Sequence, residues 1–324
     1  MKFQLLVPQY NETDSDIKPL LDSIAIQQNI DFKEIGIIIC NDGSDIFLSD
    51  DLLHSYPFEI TYLKNEHKGV SAARNACLDK ASAEYVMFCD ADDMFYTPCA
   101  FWLLFREMDT GFDGLISCFI EETRDKNSKQ VVYVDHNQDM VFVHGKVWRR
   151  KYLSSLNIKF NPELTIHEDS YFNILARTCS MNVKYCPAPL YLWRWRDASV
   201  CRHDPDYILK TYSNMLKSNL ALVEEFEKRN MPNEARMYTV MMIFDAYYTM
   251  NKPEWLNQDN KAYRDKTEKD FANYYMRRKA IWVNCSPEER MSISNSVRVR
   301  FVSEGMQMET ITINDWLKHV EELI

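Results

Sequence analysis

Glycine is scarce in this chain, seven in 324 residues, and none clusters behind the first strand-like run. That excludes the glycine-rich turn of a dinucleotide-binding oxidoreductase and the phosphate loop that a sugar nucleotidyltransferase carries near its start. A long apolar run is missing too. No run, that around residues 240–244 included, comes near the ~20 residues that a membrane-spanning helix needs. The opening Met1-Lys2-Phe3-Gln4 leads into a short strand pattern rather than a signal peptide, so a cytoplasmic location is expected. The nine cysteines include no CxxC pair, and Cys40, Cys89 and Cys118 sit in apolar runs as small hydrophobes, which suits a reducing compartment. Positive charge is in deficit, 38 Lys and Arg against 48 Asp and Glu, for a net charge of −10. A nucleic-acid or anionic-lipid partner is therefore disfavoured. Internal repeats and low-complexity tracts are absent.

What is present is core-forming material, 46% hydrophobic and 27% charged, in a chain longer than one usual domain. Residues 3–7 read as a buried strand closed by Pro8. Ile17, Leu20, Leu21 and Ile24 then recur at helical spacing, with Ser15 or Asp16 as cap and Pro19 in the first turn. Ile35, Ile37, Ile38 and Ile39 make a buried strand of the parallel type, followed by the turn Asn41-Asp42-Gly43-Ser44. Residues 60–63 and 85–89 are two more strands, separated by an alanine-rich helix over 71–80. This alternation predicts an α/β fold with a largely parallel sheet covered by helices, whose ligands gather beyond the carboxyl ends of the strands.

The fourth strand ends in an acidic knot, Asp90-Ala91-Asp92-Asp93. Like charges a few Å apart repel, and desolvation adds to the cost, so a cation is expected between them. An oxygen-rich site of this kind suits Mg²⁺ or Mn²⁺. A calcium loop is excluded, because Phe95 and Phe101 stand where it needs Gly and Glu. Upstream, Gly69 leads into the helix at Ser71, where Lys68, Arg74 and the free N–H groups of the first turn offer positive potential to a diphosphate or to acids. Arg74 reads equally as a structural partner for Asp90 or Asp42.

Four segments stand in order at the rim: Pro8-Gln9-Tyr10-Asn11, Asn41-Asp42-Gly43-Ser44, Gly69-Val70-Ser71-Ala72-Ala73-Arg74-Asn75 and Asp90-Ala91-Asp92-Asp93. With Glu168-Asp169-Ser170-Tyr171-Phe172 and the stretch from Tyr191 to Ser199, they resemble family 2 of the inverting nucleotide-sugar glycosyltransferases. The resemblance covers roughly residues 1–203 and implies a GT-A fold, a Rossmann-like mixed, mostly parallel sheet with flanking helices. It also implies a metal-dependent single displacement that moves a sugar from a nucleotide-sugar, expected to be a UDP-sugar, to an acceptor hydroxyl. The acceptor would be a glycan, a lipid-linked group or a protein.

The resemblance assigns roles as well. Asp42 would accept the uracil N3 hydrogen bond, while an Asx contact that stabilises the turn is its plain structural reading. Pro8 and Tyr10 would frame the base, and Asn11, Glu12, Lys68, Arg74, Asp90 and Ala91 would complete the donor site, while the plain readings are packing on the sheet edge for Tyr10 and pairing with a nearby cation for Glu12. Asp92 and Asp90 would hold the metal with Asp93 behind them, and His203 is a further candidate ligand. Asp169 would be the general base and Glu168 its support. Here His167 stands where the family often has Gly, and Thr165 reads as the cap of the helix that begins with these acids.

Elsewhere, residues 114–121 and 131–134 read as a hairpin. The segment Gly145-Lys146-Val147-Trp148-Arg149-Arg150 offers a ring for a sugar face and cations for an anionic acceptor, or simply core and solvated charge, and Trp193 and Trp195 carry the same ambiguity. Residues 204–324 form a second, mainly helical region. There the alternation at Val297, Val299, Phe301, Ile311 and Ile313 suggests a late β-hairpin, and a last helix starts near Asn314. Homo-oligomer formation or partner docking through these helices stays open. Two competing readings are a catalytically inactive nucleotide-sugar scaffold or sensor, and a phage-type enzyme that glycosylates modified DNA, which the acidic balance opposes.

Overall fold

The computed structural model describes residues 1–125, 128–196, 207–256, 259–303 and 311–324. Two compact units, Met1–Asp197 and Ala198–Ile324, make up the chain.

The first unit is built on one mixed sheet. Strands β1 (Phe3–Gln9), β2 (Ile35–Asp42), β3 (Glu59–Asn65) and β4 (Tyr85–Phe88) are mutually parallel in the order β3-β2-β1-β4. Every residue of β2 is buried, and its isoleucines suit a strand covered on both faces. The sheet continues through β8 (Lys146–Arg149), antiparallel to β4, then β6 (Gly114–Arg124) and β9 (Val183–Trp193), ending at the short β5 (Met94–Phe95). β7 (Val131–His136) pairs with β6 as the expected hairpin.

Helix α1 (Asp14–Ala25) starts one residue before the predicted cap. Thr13 and Asp16 form its capping box, so Pro19 falls inside the helix rather than in its first turn. Helices α2 (Asp50–His54), α3 (Val70–Lys80), α4 (Ala100–Met108), α5 (Arg150–Ser155) and α6 (Glu168–Thr178) complete the unit. Its core joins Phe3, Leu5 and Val7 of β1 to Ile37 and Ile39 of β2, and to Leu20, Ile24 and Phe101 of the covering helices.

The second unit is helical throughout its described residues: α7 (Tyr207–Lys228), α8 (Pro232–Met250), α9 (Pro253–Leu256), α10 (Lys261–Val283), α11 (Pro287–Ser303) and α12 (Ile313–Glu321). Val240, Ile243, Tyr247, Phe271, Tyr275 and Trp316 meet in its core. The late β-hairpin is not formed. Val297, Val299 and Phe301 lie in α11, and Ile313 opens α12. Val297 and Phe301, four apart, are buried while Val299 is 70% exposed, so helical period decides the pattern there and the apparent alternation is incidental. Among the described residues no helix is long and apolar enough to cross a membrane.

Candidate active site

Because β1, β2 and β4 run parallel, their carboxyl ends bring Tyr10, Asn11 and Glu12, then Asp42, then Asp90 to one rim. Asp42 is buried and holds the chain leading to α3: the N–H groups of Lys68 and Gly69 donate to its Oδ1 and Oδ2, both at 2.9 Å. His67 Nδ1 also stands 2.9 Å from Asp42 Oδ2. These are long-range ties rather than an Asx contact, which Asn41 makes instead by accepting from the Ser44 N–H at 2.7 Å, and acceptor capacity is left on Asp42 Oδ1. Gly43, at φ +73°, is required here, since a Cβ would lie 2.3 Å from the His67 nitrogen. Tyr10 is 48% exposed and stacks on the His67 ring at 4.5 Å. Asn11, at φ 70°, exchanges hydrogen bonds with Ser44: its N–H donates to Ser44 Oγ, which donates back to Asn11 Oδ1. Glu12 accepts from the Tyr10 N–H at 2.6 Å, and burial raises its carboxyl above the ordinary range despite that bond. Pro8 lies in β1 and Ala91 is buried behind the acidic turn, while the Lys68 ammonium is exposed, 3.4 Å from Glu66.

Arg74 is the centre of the site. It projects from α3, 3% exposed, and its Nη2 donates to Asp90 Oδ1 at 3.0 Å. Its Nη1 donates to Glu168 Oε1 at 2.9 Å and to Asp169 Oδ1 at 2.5 Å. Of the two partners open in the sequence, Asp90 is the one it takes. Burial alone would lower the guanidinium pKa, but Asp169, Asp90 and Glu168 hold it above its ordinary value. One cation facing three carboxylates leaves an excess of negative charge. Glu168 relieves part of it: burial, then the charge of Asp169, push its carboxyl up to about 8.

The acids of the knot differ in environment. Asp93 is fully enclosed, accepting from the Tyr191 hydroxyl at 2.7 Å and from the Arg194 N–H at 2.9 Å. Burial, then Asp92 and Asp90, drive its carboxyl well above the ordinary range. Asp92 is more open and accepts from Arg196 Nη1 at 2.8 Å, and that guanidinium also donates to Asp16 at 3.3 Å. The His144 ring is buried, stacked on Tyr191, and burial lowers its pKa to about 3. Its Nδ1 has no hydrogen-bond partner and lies 3.8 Å from Asp93 Oδ2. Asp90, Asp93 and His144 offer ligand atoms within 4.8 Å of one another. Two carboxylates with an unpartnered imidazole nitrogen fit a divalent cation, whereas Asp92, held by Arg196, is not one of these three. Neither His144 nor the bonding of Tyr191 was legible in the motifs. The one signal was Gly145, whose φ of +68° shapes the turn beside His144.

Asp169 is held at both oxygens, by Arg74 at Oδ1 and by the Val143 N–H at 3.3 Å from Oδ2. Helix α6 is capped by His167 rather than Thr165, and His167 sits at φ 65°. That left-handed conformation is the one Gly adopts without strain. Asn75 fixes the approach to α6, since its side chain donates to the Phe160 carbonyl at 2.9 Å and accepts from the Phe160 N–H at 3.0 Å. Trp148 is core, 1% exposed and edge-on to Phe172. Arg149 donates to the Tyr85 hydroxyl at 2.8 Å and Arg150 to the Ala83 carbonyl at 2.8 Å, so Trp148 is core as one reading had it, while both arginines are bonded within the protein rather than simply solvated. Trp193 packs on Phe142 and His144, and Arg124 lies over the Trp195 ring. His203 lies outside the described residues.

The strand ends of this sheet gather a cationic helix start, an acidic knot and a second acidic helix start at one rim. The sequence model of glycosyl transferase family 2 matches residues 5–177, more than half of the chain. The chain belongs to that family and is a glycosyltransferase. The uncharacterized glycosyltransferase EpsJ of Bacillus subtilis is 24% identical over 59% of this chain and 60% of its own. Glycosyltransferase GlyA of Streptococcus pneumoniae is 27% identical over 62% of this chain and 32% of its own, so this chain spans less than two thirds of either relative. Among solved structures, Staphylococcus aureus TarS 1–349 in complex with UDP-GlcNAc superposes with a TM-score of 0.62 at 18% identity, covering 92% of each chain. The same fragment with UDP gives 0.61 at 17% identity, over 96% of this chain and 94% of that one. At such identities the likeness is one of fold, which is GT-A.

Proposed function

We propose that this chain transfers a sugar from a UDP-sugar to an acceptor hydroxyl by a single inverting displacement, with Mg²⁺ or Mn²⁺ bound at the acidic rim. The observation that carries this reading is Arg74, one buried guanidinium that ties Asp90 on the donor side to Glu168 and Asp169 on the other. An inverting displacement needs a base on one face of the anomeric carbon and charge neutralisation on the opposite face. That the TarS fragment binds UDP and UDP-GlcNAc supports the choice of donor class.

In this reading the uracil packs at the Tyr10–His67 pair, Asp42 accepts from it with the remaining capacity of Oδ1, and Pro8, Asn11 and Glu12 shape the wall. Lys68 and the first turn of α3 face the diphosphate. Asp90 and Asp92 would hold the cation, joined by Asp93 and His144, and its chemistry there would be charge neutralisation at the diphosphate. Asp169 removes the acceptor proton while Arg74 and the Val143 N–H fix its orientation. Glu168, which retains its own proton to about 8, supports it without adding a repelling charge. The decisive experiment is UDP release from a panel of UDP-sugars with and without Mn²⁺, using Asp92→Ala and Asp169→Asn as controls. Release that needs neither the cation nor Asp169 sinks this mechanism.

A further inference from the structure

The helical unit contains a groove of about 350 Å³ between α7 and α10, at the lower end of the ~300–1,000 Å³ usual for small-molecule sites. Helix α7 lends Ser213, Leu216, Lys217 and Leu220, and α10 lends Asp270, Asn273, Tyr274 and Arg277. Each set has the spacing i, i+3, i+4, i+7, so each is one continuous helix face about 10 Å long. Leu216, Ser213 and Tyr274 are buried and form the floor, while the charged side chains stand on the rims.

The electrostatics decide what such a groove selects. Asp270 is paired with Lys266 at 2.7 Å. Among the described residues neither Lys217 nor Arg277 is in an ion pair or a hydrogen bond. The neighbouring arginines behave otherwise: Arg229 pairs with Glu225, Arg236 with Glu289, Arg264 with Glu268 and Arg278 with Glu227. Two uncompensated cations face one groove in a chain whose net charge is −10. Over the buried floor of Leu216 and Tyr274, the partly exposed Leu220 offers an apolar patch to a sugar ring, and the exposed Asn273 offers a partner to its hydroxyls.

We propose that this groove binds an anionic saccharide, a sugar carrying phosphate or carboxylate, through Lys217 and Arg277. Resting on the glycosyltransferase reading, the ligand is a charged residue of the acceptor. The test is calorimetric titration of the full chain, saturated with UDP, with glucose 6-phosphate, glucuronate, glucose and inorganic phosphate. We expect one of the two acidic sugars to bind more tightly than glucose and phosphate, and which of them does so identifies the anion. The Lys217→Gln/Arg277→Gln double variant should bind it roughly tenfold more weakly or worse, since hydrogen bonds to charged groups are lost. UDP binding and the melting curve should be unchanged in that variant, and Arg277→Lys should retain part of the affinity. Unaltered affinity in the double variant overturns the proposal, as does phosphate binding as tightly as both acidic sugars, or no heat from either sugar. A chain that fails to bind UDP counts against the donor-site reading instead, and leaves the groove to be judged by the variants.

Discussion

Arg74 shows how a single side chain can join acids from distant parts of the chain. Its contact with Glu168 spans 94 residues of sequence, and no local pattern encodes it. Two predictions belong to this scale. Asp169→Asn keeps the shape of the helix start but removes the proposed base, so transfer should fall by roughly 10²–10⁴-fold. UDP affinity should hardly change, which steady-state kinetics and a binding titration will separate. The second prediction concerns pH. In the fold Glu168 keeps its proton up to about 8, whereas its ordinary value is 4.5, so between those values the native state binds more protons than the unfolded chain. Its contribution to stability is complete below 4.5 and is lost as pH rises through about 8. The melting temperature of the wild type should therefore fall relative to that of Glu168→Gln as pH rises across this window. Parallel curves for the two proteins would show that Glu168 ionises normally.

At the scale of elements, the site depends on how three turns are held. The β2 turn needs Gly43 because of its φ of +73° and its approach to His67. Gly43→Ala should cost at least ~1 kcal/mol from the left-handed backbone alone, before the clash with His67 is counted. A lower melting temperature together with weaker UDP binding is expected, because the same turn carries Asp42. Asn75 is the corresponding tie between α3 and the loop before α6. Asn75→Ala strands a partly buried N–H and carbonyl at Phe160, each costing about 1–3 kcal/mol. Turnover should drop more than donor KM rises, since Asp169 shifts while the nucleotide side stays in place. A variant with normal turnover would show that the loop is positioned by packing alone. The strands and α3 could be read from apolar runs and turn residues. The cap of α6 could not: Thr165 has the right chemistry, but the chain reaches the helix through His167 at φ 65°.

For the whole molecule, ligand binding to the folded state alone raises apparent stability, by about 2.7 kcal/mol at one hundred times Kd. UDP with Mn²⁺ should raise the melting temperature more than UDP alone. Chelation should reverse the difference, and Asp92→Ala should abolish it. Equal stabilisation with and without the ion would remove the metal from the rim.

The parallel half of the sheet, the acidic rim beyond it and the family were already determined by the sequence, because buried strands write themselves as unbroken apolar runs and their polar ends follow directly in the chain. Tertiary structure alone decided that Arg74 joins Asp90 to Asp169, that His144 comes within 3.8 Å of Asp93, and that Trp148 is core. It also made a helix of residues 297–301, where burial every fourth residue outweighed an alternating apolar pattern. The physical reason is common to all of these. Periodicity records which face of an element is buried, whereas charge pairing and ring stacking depend on which distant segments the packed core brings within a few Å.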